Sequence, residues 1–303
     1  MTEIVRYLHT DSGSLAVGLR DGAEIHPLTD TMGELLSLPL AEIRDRCERR
    51  SPAAIPVEGT IMLPPIDGRG EVWAAGVTYQ RSRDGRMAES KDSADVYARV
   101  YDAVRPELFF KSASWRVTGP GEPIAIRSDS QIDVPEPELA LLLNSFGETV
   151  GYTICNDVSS RDIEGENPLY LPQAKAYLGG CALGPSVRPA WEVEEPYALG
   201  IRMALLRRGE AVWSGETNTS LLHRTFDDLV GHLFRDNLFP EGVALATGTC
   251  LVPDLDTTLQ PDDHVVIAID EVGTLINRVV RDGASLTWLA TGERRPAEVD
   301  APA

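Results

Sequence analysis

The stretch from Val134 to Asp157 constrains the fold more than any other part of this chain. It runs as an acidic entry, an unbroken apolar segment, a turn, and a second apolar segment that ends in Asn156-Asp157. Side chains alternate in an extended segment, so Glu136 and Glu138 project from one face, and Leu139 to Leu143 behind them reads as a buried strand. Asn144-Ser145-Phe146-Gly147 carries turn residues and Val150 to Cys155 is strand-like again. An antiparallel hairpin about that turn returns Asp157 to within a few residues of the glutamates. Three carboxylates then face one volume. Such acids repel unless a positive group sits between them, and oxygen ligands of this kind suit a hard cation, Mg2+ ahead of Mn2+ or Ca2+, because Mg2+ commonly takes a few carboxylates and leaves its other positions to water and substrate. Spacing alone leaves a second reading open, a solvated strand edge carrying two glutamates, since acids at i and i+2 are common on exposed strands.

Length and charge narrow the partners. With 303 residues and 43% hydrophobic content the chain can bury a full core. Its net charge of -19 argues against nucleic acid or an anionic membrane surface. Cys47, Cys155, Cys181 and Cys250 form no C-x-x-C pair, which suggests neither a zinc site nor a disulfide framework; they read as small buried hydrophobes. The segment Met1 to Thr10 has no leader-like apolar region and no run approaches a membrane span, so the expected location is the reducing cytoplasm.

Lysine usage is more pointed. The only lysines are Lys91, Lys111 and Lys175 among 28 basic residues of the Lys and Arg class. Arg stays protonated and makes a poor base, whereas a shielded Lys can give up its proton near neutral pH. Lys91 lies in the polar run Glu89-Ser90-Lys91-Asp92-Ser93 and reads as surface. Lys111, after Leu108-Phe109-Phe110, and Lys175, after Leu171-Pro172-Gln173-Ala174, stand in apolar context and are the functional candidates.

Residues 1 to about 65 read as a small amino-terminal subdomain, with strands at Ile4 to Tyr7 and Ser14 to Leu19 and a helix near Met32 to Arg46 behind Thr29-Asp30-Thr31. Residues 66–303 form the second unit. Val72 to Tyr79 is strand-like, and the polar segment Gln80 to Tyr101 reads either as a lid, with Arg81 and Arg83 meeting an anionic substrate, or as an exposed helix. Ser159-x-x-Asp162 fits a capping box, which places Arg161 and Glu164 on a short helix ending near Gly165. Tyr170 to Lys175 then approaches the acids from the far side. A helix around Thr225 to Phe234 interrupts the later strands, and the tail from Thr291 reads as frayed.

The segment from about Trp73 to Val280 resembles the fumarylacetoacetate hydrolase superfamily. In order along the chain it carries Gly-x-x-Tyr (Gly76 to Tyr79), the strand Leu108 to Lys111, Glu136-x-Glu138, Asn-Asp-x-Ser-x-Arg-Asp (Asn156 to Asp162), the Ala174-Lys175 pair, Thr217 to Ser220 and Thr247-Gly248-Thr249. The resemblance implies an α+β, mostly β fold, a mixed β-roll or β-sandwich with the small α/β subdomain at its amino end. It further implies a divalent metal on Glu136, Glu138 and Asp157, Lys175 beside the bound substrate, and action on a small 2-oxo or diketo acid by a homodimer or homotetramer.

Two departures steer the expected chemistry. Hydrolytic members resembling this chain carry a His and a Glu that activate water, and here those positions are Ser82 and Gly85. The usual Gln near Arg-Asp is Glu164. The run Arg161 to Lys175 looks most like the branch that dehydrates 2-dehydro-3-deoxy-pentonates, with Lys175 and Glu164 expected as base and acid in either order. Arg161, Tyr79, Lys111, Arg81 and the Thr247, Gly248, Thr249 loop are expected to contact the substrate. Hydrolysis or decarboxylation of an acylpyruvate on the same fold, and a non-catalytic metal- or ligand-binding protein, are the alternatives.

Overall fold

The computed structural model describes residues 1–81, 99–254, 256–281 and 283–292. Ser82, Arg83, Gly85 and Lys91, most of the Gln80 to Tyr101 segment and nearly all of the expected frayed tail lie outside the described residues. The hairpin expected from the sequence is present: Pro137–Leu143 pairs antiparallel with Thr149–Asp157, Leu139 opposite Ile154 and Glu138 opposite Cys155.

This hairpin lies inside an 11-stranded sheet. On one side of it come Cys181–Pro189 and then Thr2–His9, Leu15–Asp21 and Glu24–Thr29, so the amino-terminal strands extend the same sheet. On the other side come Val243–Ala246, Glu71–Gly76 and Glu107–Ala113, the first two paired in parallel. A five-stranded sheet, which includes Gly200–Arg207, His264–Ile269 and Gly273–Arg281, covers one face. The fold is thus mostly β with short helices, as the family resemblance implies.

Alternation along Pro137–Leu143 shows why its apolar run is unbroken. Leu139, Leu141 and Leu143 join the core shared with Ile201, Met203, Leu205 and Ile267 of the covering sheet. Ala140 and Leu142 point the other way, into a core with Met32, Leu35, Ile43 and Cys47 of the amino-terminal helices. A strand buried on both faces needs apolar residues at every position, and each fully buried Leu contributes about 1.5–3 kcal/mol relative to exposure. Glu136 and Glu138 have the parity of Ala140 and Leu142, so they share a sheet face beyond the end of that second core.

Two local expectations need correction. The expected helix near Met32 to Arg46 is two helices, Met32–Leu36 and Leu40–Arg49. Pro39 stands between them and cannot donate a backbone N–H, so one helix cannot run through. The capping box also fails: Ser160, not Ser159, precedes the helix Arg161–Glu166 and makes no side-chain cap bond. Asp162 instead accepts from Ser130 Oγ at 2.7 Å and Gln131 N at 2.8 Å, and Ser159 Oγ donates to Asp157 O at 2.9 Å. Tertiary partners took both groups. The four cysteines are free and buried, and among the described residues no helix is long and apolar enough to cross a membrane.

Candidate active site

The open end of the hairpin gathers the acids. Asp157 N donates to Glu136 O at 2.9 Å, extending the ladder past Glu138. One carboxylate oxygen each from Glu136, Glu138 and Asp157 lie within 4.8 Å of one another, and all three residues are buried. Buried carboxylates are costly unless they are paired and hydrogen-bonded, and three basic side chains converge on two of them. Lys175 Nζ lies 2.7 Å from Glu136 Oε2 and 3.0 Å from Asp157 Oδ2, with Ser159 Oγ at 2.5 Å. Arg161 Nη1 donates to Glu136 Oε1 at 2.8 Å, and Lys111 Nζ lies 2.5 Å from Asp157 Oδ1.

Glu138 differs. It accepts from Gly248 N at 2.7 Å, but among the described residues no basic group stands within ion-pair distance of it. Burial raises its pKa well above the usual carboxylate value; Asp157 and Glu136 raise it further, while Lys175 and the Gly248 N–H oppose the rise. Gly248 is required where it stands. Its φ is +97°, and a Cβ there would lie 1.9 Å from Thr78 Oγ1 and 2.9 Å from Ala75 O.

Lys175 closes the helix Leu171–Lys175, which has Pro172 in its first turn; the 3-10 turn before it, Pro168–Tyr170, is capped by Asn167, whose side chain accepts from Leu169 N at 2.9 Å. Its ammonium also lies 5.6 Å from the centre of the Phe109 ring, a cation–π contact. The donor set fits a divalent cation. Three hard oxygens converge, and Glu138 holds a disfavoured charge that a cation would relieve.

Beside the acids lies a cavity walled by Glu164, Lys175, Thr249, Glu107, Phe109 and Leu171, among others. The structure therefore brings together Glu136, Glu138, Asp157, Lys175, Glu164 and Thr249 at one cavity. Other expected contacts sit elsewhere. Arg161 lies behind Glu136, its Nε 3.9 Å from Glu164 Oε2. Thr247 is tied to Leu139 O through its backbone and, at 2.8 Å, through its hydroxyl. Tyr79 is buried and burial pushes its phenol far up. Lys111 lies beneath Asp157, and Arg81 is exposed; neither lines the cavity.

Sequence reasoning missed Glu107, Phe109, Leu171 and Ser159. Glu107 was legible in one respect: Glu107 and Phe109 lie two apart on the strand and both line the cavity, whereas the bulge at Lys111 breaks the alternation and Lys111 lies beneath Asp157 instead. Gly76 pairs with Glu107 across the sheet, and a Cβ on Gly76 would lie 2.1 Å from Glu107 Oε2. The glycine of Gly-x-x-Tyr thus leaves room for a cavity carboxylate.

Residues 72–280 match the model of the fumarylacetoacetate hydrolase C-terminal domain. The chain belongs to this family. Within the fumarylacetoacetate hydrolase family it is 51% identical over 215 residues to a probable 2-keto-3-deoxyxylonate dehydratase of Haloferax volcanii, covering 71% of this chain and 73% of that protein. It is 46% identical over 218 residues to the 2-dehydro-3-deoxy-D-arabinonate dehydratase of Saccharolobus solfataricus, with coverage of 71% and 73%. A solved 2-keto-3-deoxy-D-arabinonate dehydratase complexed with magnesium and 2,5-dioxopentanoate superimposes with a TM-score of 0.80 at 36% identity, covering 93% of this chain and 99% of that one. The similarity thus runs to the sugar-acid dehydratase branch of the family.

Proposed function

We propose that this chain is a Mg2+-dependent hydro-lyase that converts 2-dehydro-3-deoxy-D-arabinonate, or the xylonate equivalent, to 2,5-dioxopentanoate. It would act in the cytoplasm as a homodimer or homotetramer, with residues 1–65 as a subdomain that extends the catalytic sheet. The observation that carries the reading is one cavity that holds three converging carboxylates, a buried lysine and a separate buried glutamate, in a chain whose relatives are named for this reaction.

Glu136, Glu138 and Asp157 would hold the cation with one oxygen each. When bound, the cation supplies Lewis-acid polarisation of the substrate's 2-oxo group. In its neutral amine form Lys175 Nζ takes a proton from C3, and Glu164 in its protonated form gives its proton to the C4 hydroxyl, which leaves as water. The unsaturated 2-oxo acid formed still carries the C5 hydroxymethyl group. Moving one proton from C5 to C3 gives the C4=C5 enol, and passage of its hydroxyl proton to C4 makes the terminal aldehyde, so the net change is the loss of one water. Arg161, bonded to Glu136 and 3.9 Å from Glu164, orients both acids. Thr249 is the substrate contact of its loop, whereas Thr247 and Gly248 hold the loop and Glu138 in place.

Incubation with Mg2+ and 2-dehydro-3-deoxy-D-arabinonate tests the reading, with the semialdehyde as the expected product. Turnover of an acylpyruvate with no water loss from the sugar acid would replace the dehydratase by a hydrolase. Glu107 is a second cavity carboxylate, and it separates the acid assignment cleanly: Glu164→Gln should lower kcat far more than Glu107→Gln, and the reverse order would move the acid role to Glu107.

A further inference from the structure

The basic groups at the acids do not all face the cavity. Lys175 does; Lys111 does not, although its ammonium touches the same aspartate. Lys111 Nζ has three partners: Asp157 Oδ1 at 2.5 Å, Val158 O at 2.9 Å and Lys175 O at 2.5 Å. Two of the ammonium's three N–H donors go to the carbonyls, and its contact with Asp157 Oδ1 is an ion pair. The side chain is fully buried, and its ring neighbour is Tyr177, 5.8 Å away.

Each partner belongs to a segment that carries the site. Asp157 ends the strand Thr149–Asp157 and Val158 follows it directly. Lys175 O is a carbonyl at the carboxyl end of the helix Leu171–Lys175, where carbonyls lack partners within the helix and attract cations. Lys111 itself projects from a third element, the strand Glu107–Ala113. We propose that Lys111 is a positioning residue that pins Asp157 and the Lys175 helix end to each other, and that it holds Asp157 Oδ1 so that only Oδ2 is presented to the cation and to Lys175. This inference rests on the metal reading of the three carboxylates, and it removes Lys111 from the substrate-contacting set expected from the sequence.

The mechanism has a direct consequence. A lysine that touched substrate would, when replaced, raise KM. A lysine that sets the geometry of a metal ligand and a base should instead lower kcat and weaken the cation site, by about 10- to 100-fold for a partner one shell out from a metal. Lys111→Met removes charge and donors at nearly constant volume. Lys111→Gln keeps N–H donors for the carbonyls but not the charge opposite Asp157.

The test uses the full chain and Mn2+ alone as probe, titrated by electron paramagnetic resonance, beside steady-state kinetics on the sugar acid. For Lys111→Met we expect Mn2+ affinity to fall by about 10-fold or more and kcat by about 100-fold, with KM within about threefold. Lys111→Gln and Lys111→Arg should lie between Met and wild type. If Lys111→Met does not fold, the Gln and Arg variants give the same readings at smaller amplitude. A raised KM with unchanged kcat and unchanged Mn2+ affinity would overturn the proposal in favour of substrate contact, as would wild-type behaviour of both Lys111→Met and Lys111→Gln. Failure of the wild-type chain to bind Mn2+ would overturn the metal reading beneath it. Normal Mn2+ binding by wild type without dehydration would overturn only the assigned reaction, and the Mn2+ titrations would still decide Lys111.

Discussion

The two ends of the central hairpin are equally buried and chemically opposite. At the turn end Leu139, Leu141 and Leu143 face one core and Ala140 and Leu142 face another, all fully buried. At the open end Glu136, Glu138 and Asp157 are at most 2% exposed. The turn end gains from its burial through the hydrophobic effect. The open end gains nothing from burial itself and depends on specific partners: Lys175 and Arg161 for Glu136, Lys175 and Lys111 for Asp157, and one backbone N–H for Glu138. One pair of strands therefore carries both the stability of the sheet and three buried carboxylates that depend on specific partners. Perturbing each end separately should change different observables.

The largest effect is expected at the open end, on rate. Lys175→Ala removes the proposed base and should lower kcat by about 10²–10⁴, the usual worth of a positioned acid or base, while the fold measured by circular dichroism persists. Chelation by excess EDTA should abolish turnover reversibly, with recovery on adding Mg2+. Activity that survives exhaustive chelation would break the link between the acidic end and catalysis.

The turn end should respond in stability alone. Leu141 is fully buried in the core with the covering sheet, and Leu141→Ala should cost about 2–5 kcal/mol by loss of burial and creation of a cavity. Denaturant unfolding measures this, and kcat of the folded fraction should stay at the wild-type value. A large drop in kcat would mean that the two ends are mechanically coupled along the strands.

How much of this was legible in the sequence follows from the same contrast. The hairpin could be read because period-2 alternation and a turn are local, and the acids because Glu136 and Glu138 lie two apart on one strand. Lysine scarcity marked Lys175, the motif order placed it beside the acids, and a departure from the family pattern marked Glu164. What stayed hidden depended on distant contacts. Nothing in the sequence of Thr2–His9 says that it pairs with Cys181–Pro189, nor that Glu107 faces Gly76. Lys111 stood out by composition, yet its partners, Val158 O and Lys175 O, are backbone atoms 47 and 64 residues away that no side-chain pattern advertises. Asp162 looked like half of a capping box because the local signal could not show that Ser130 and Gln131 would reach it first.

A smaller effect should appear at Glu138. Its pKa is raised in the folded chain by burial and by its two acidic neighbours, so its charged form works against folding when no cation is bound. A raised folded pKa means that the protonated carboxyl favours the fold; this contribution is complete below the unfolded carboxylate value and is lost as pH rises through the folded one. Glu138→Gln keeps an acceptor for Gly248 N and carries no charge. Without added metal, the variant should melt at or above the wild-type temperature at neutral pH, and its advantage should vanish as pH falls below the ordinary glutamate range. Its Mn2+ affinity should fall. A variant less stable than wild type at neutral pH would show that Glu138 is a net stabilising group.

The smallest effect distinguishes buried charge from surface charge. The net charge of -19 is carried largely by exposed acids, whose mutual repulsion is screened over about 10 Å at 0.1 M salt and about 3 Å at 1 M. Raising KCl from 0.1 to 1 M should therefore raise the melting temperature of metal-free wild type by a few degrees. The acids at the open end are buried, two of them are paired with basic side chains, and their oxygens suit a divalent cation, so K+ should not substitute for the missing cation there. Wild type and Glu138→Gln should show the same salt increment even while pH separates them. A salt increment confined to wild type would mean that the triad is open to solvent ions and that its repulsion is screened like that of the surface.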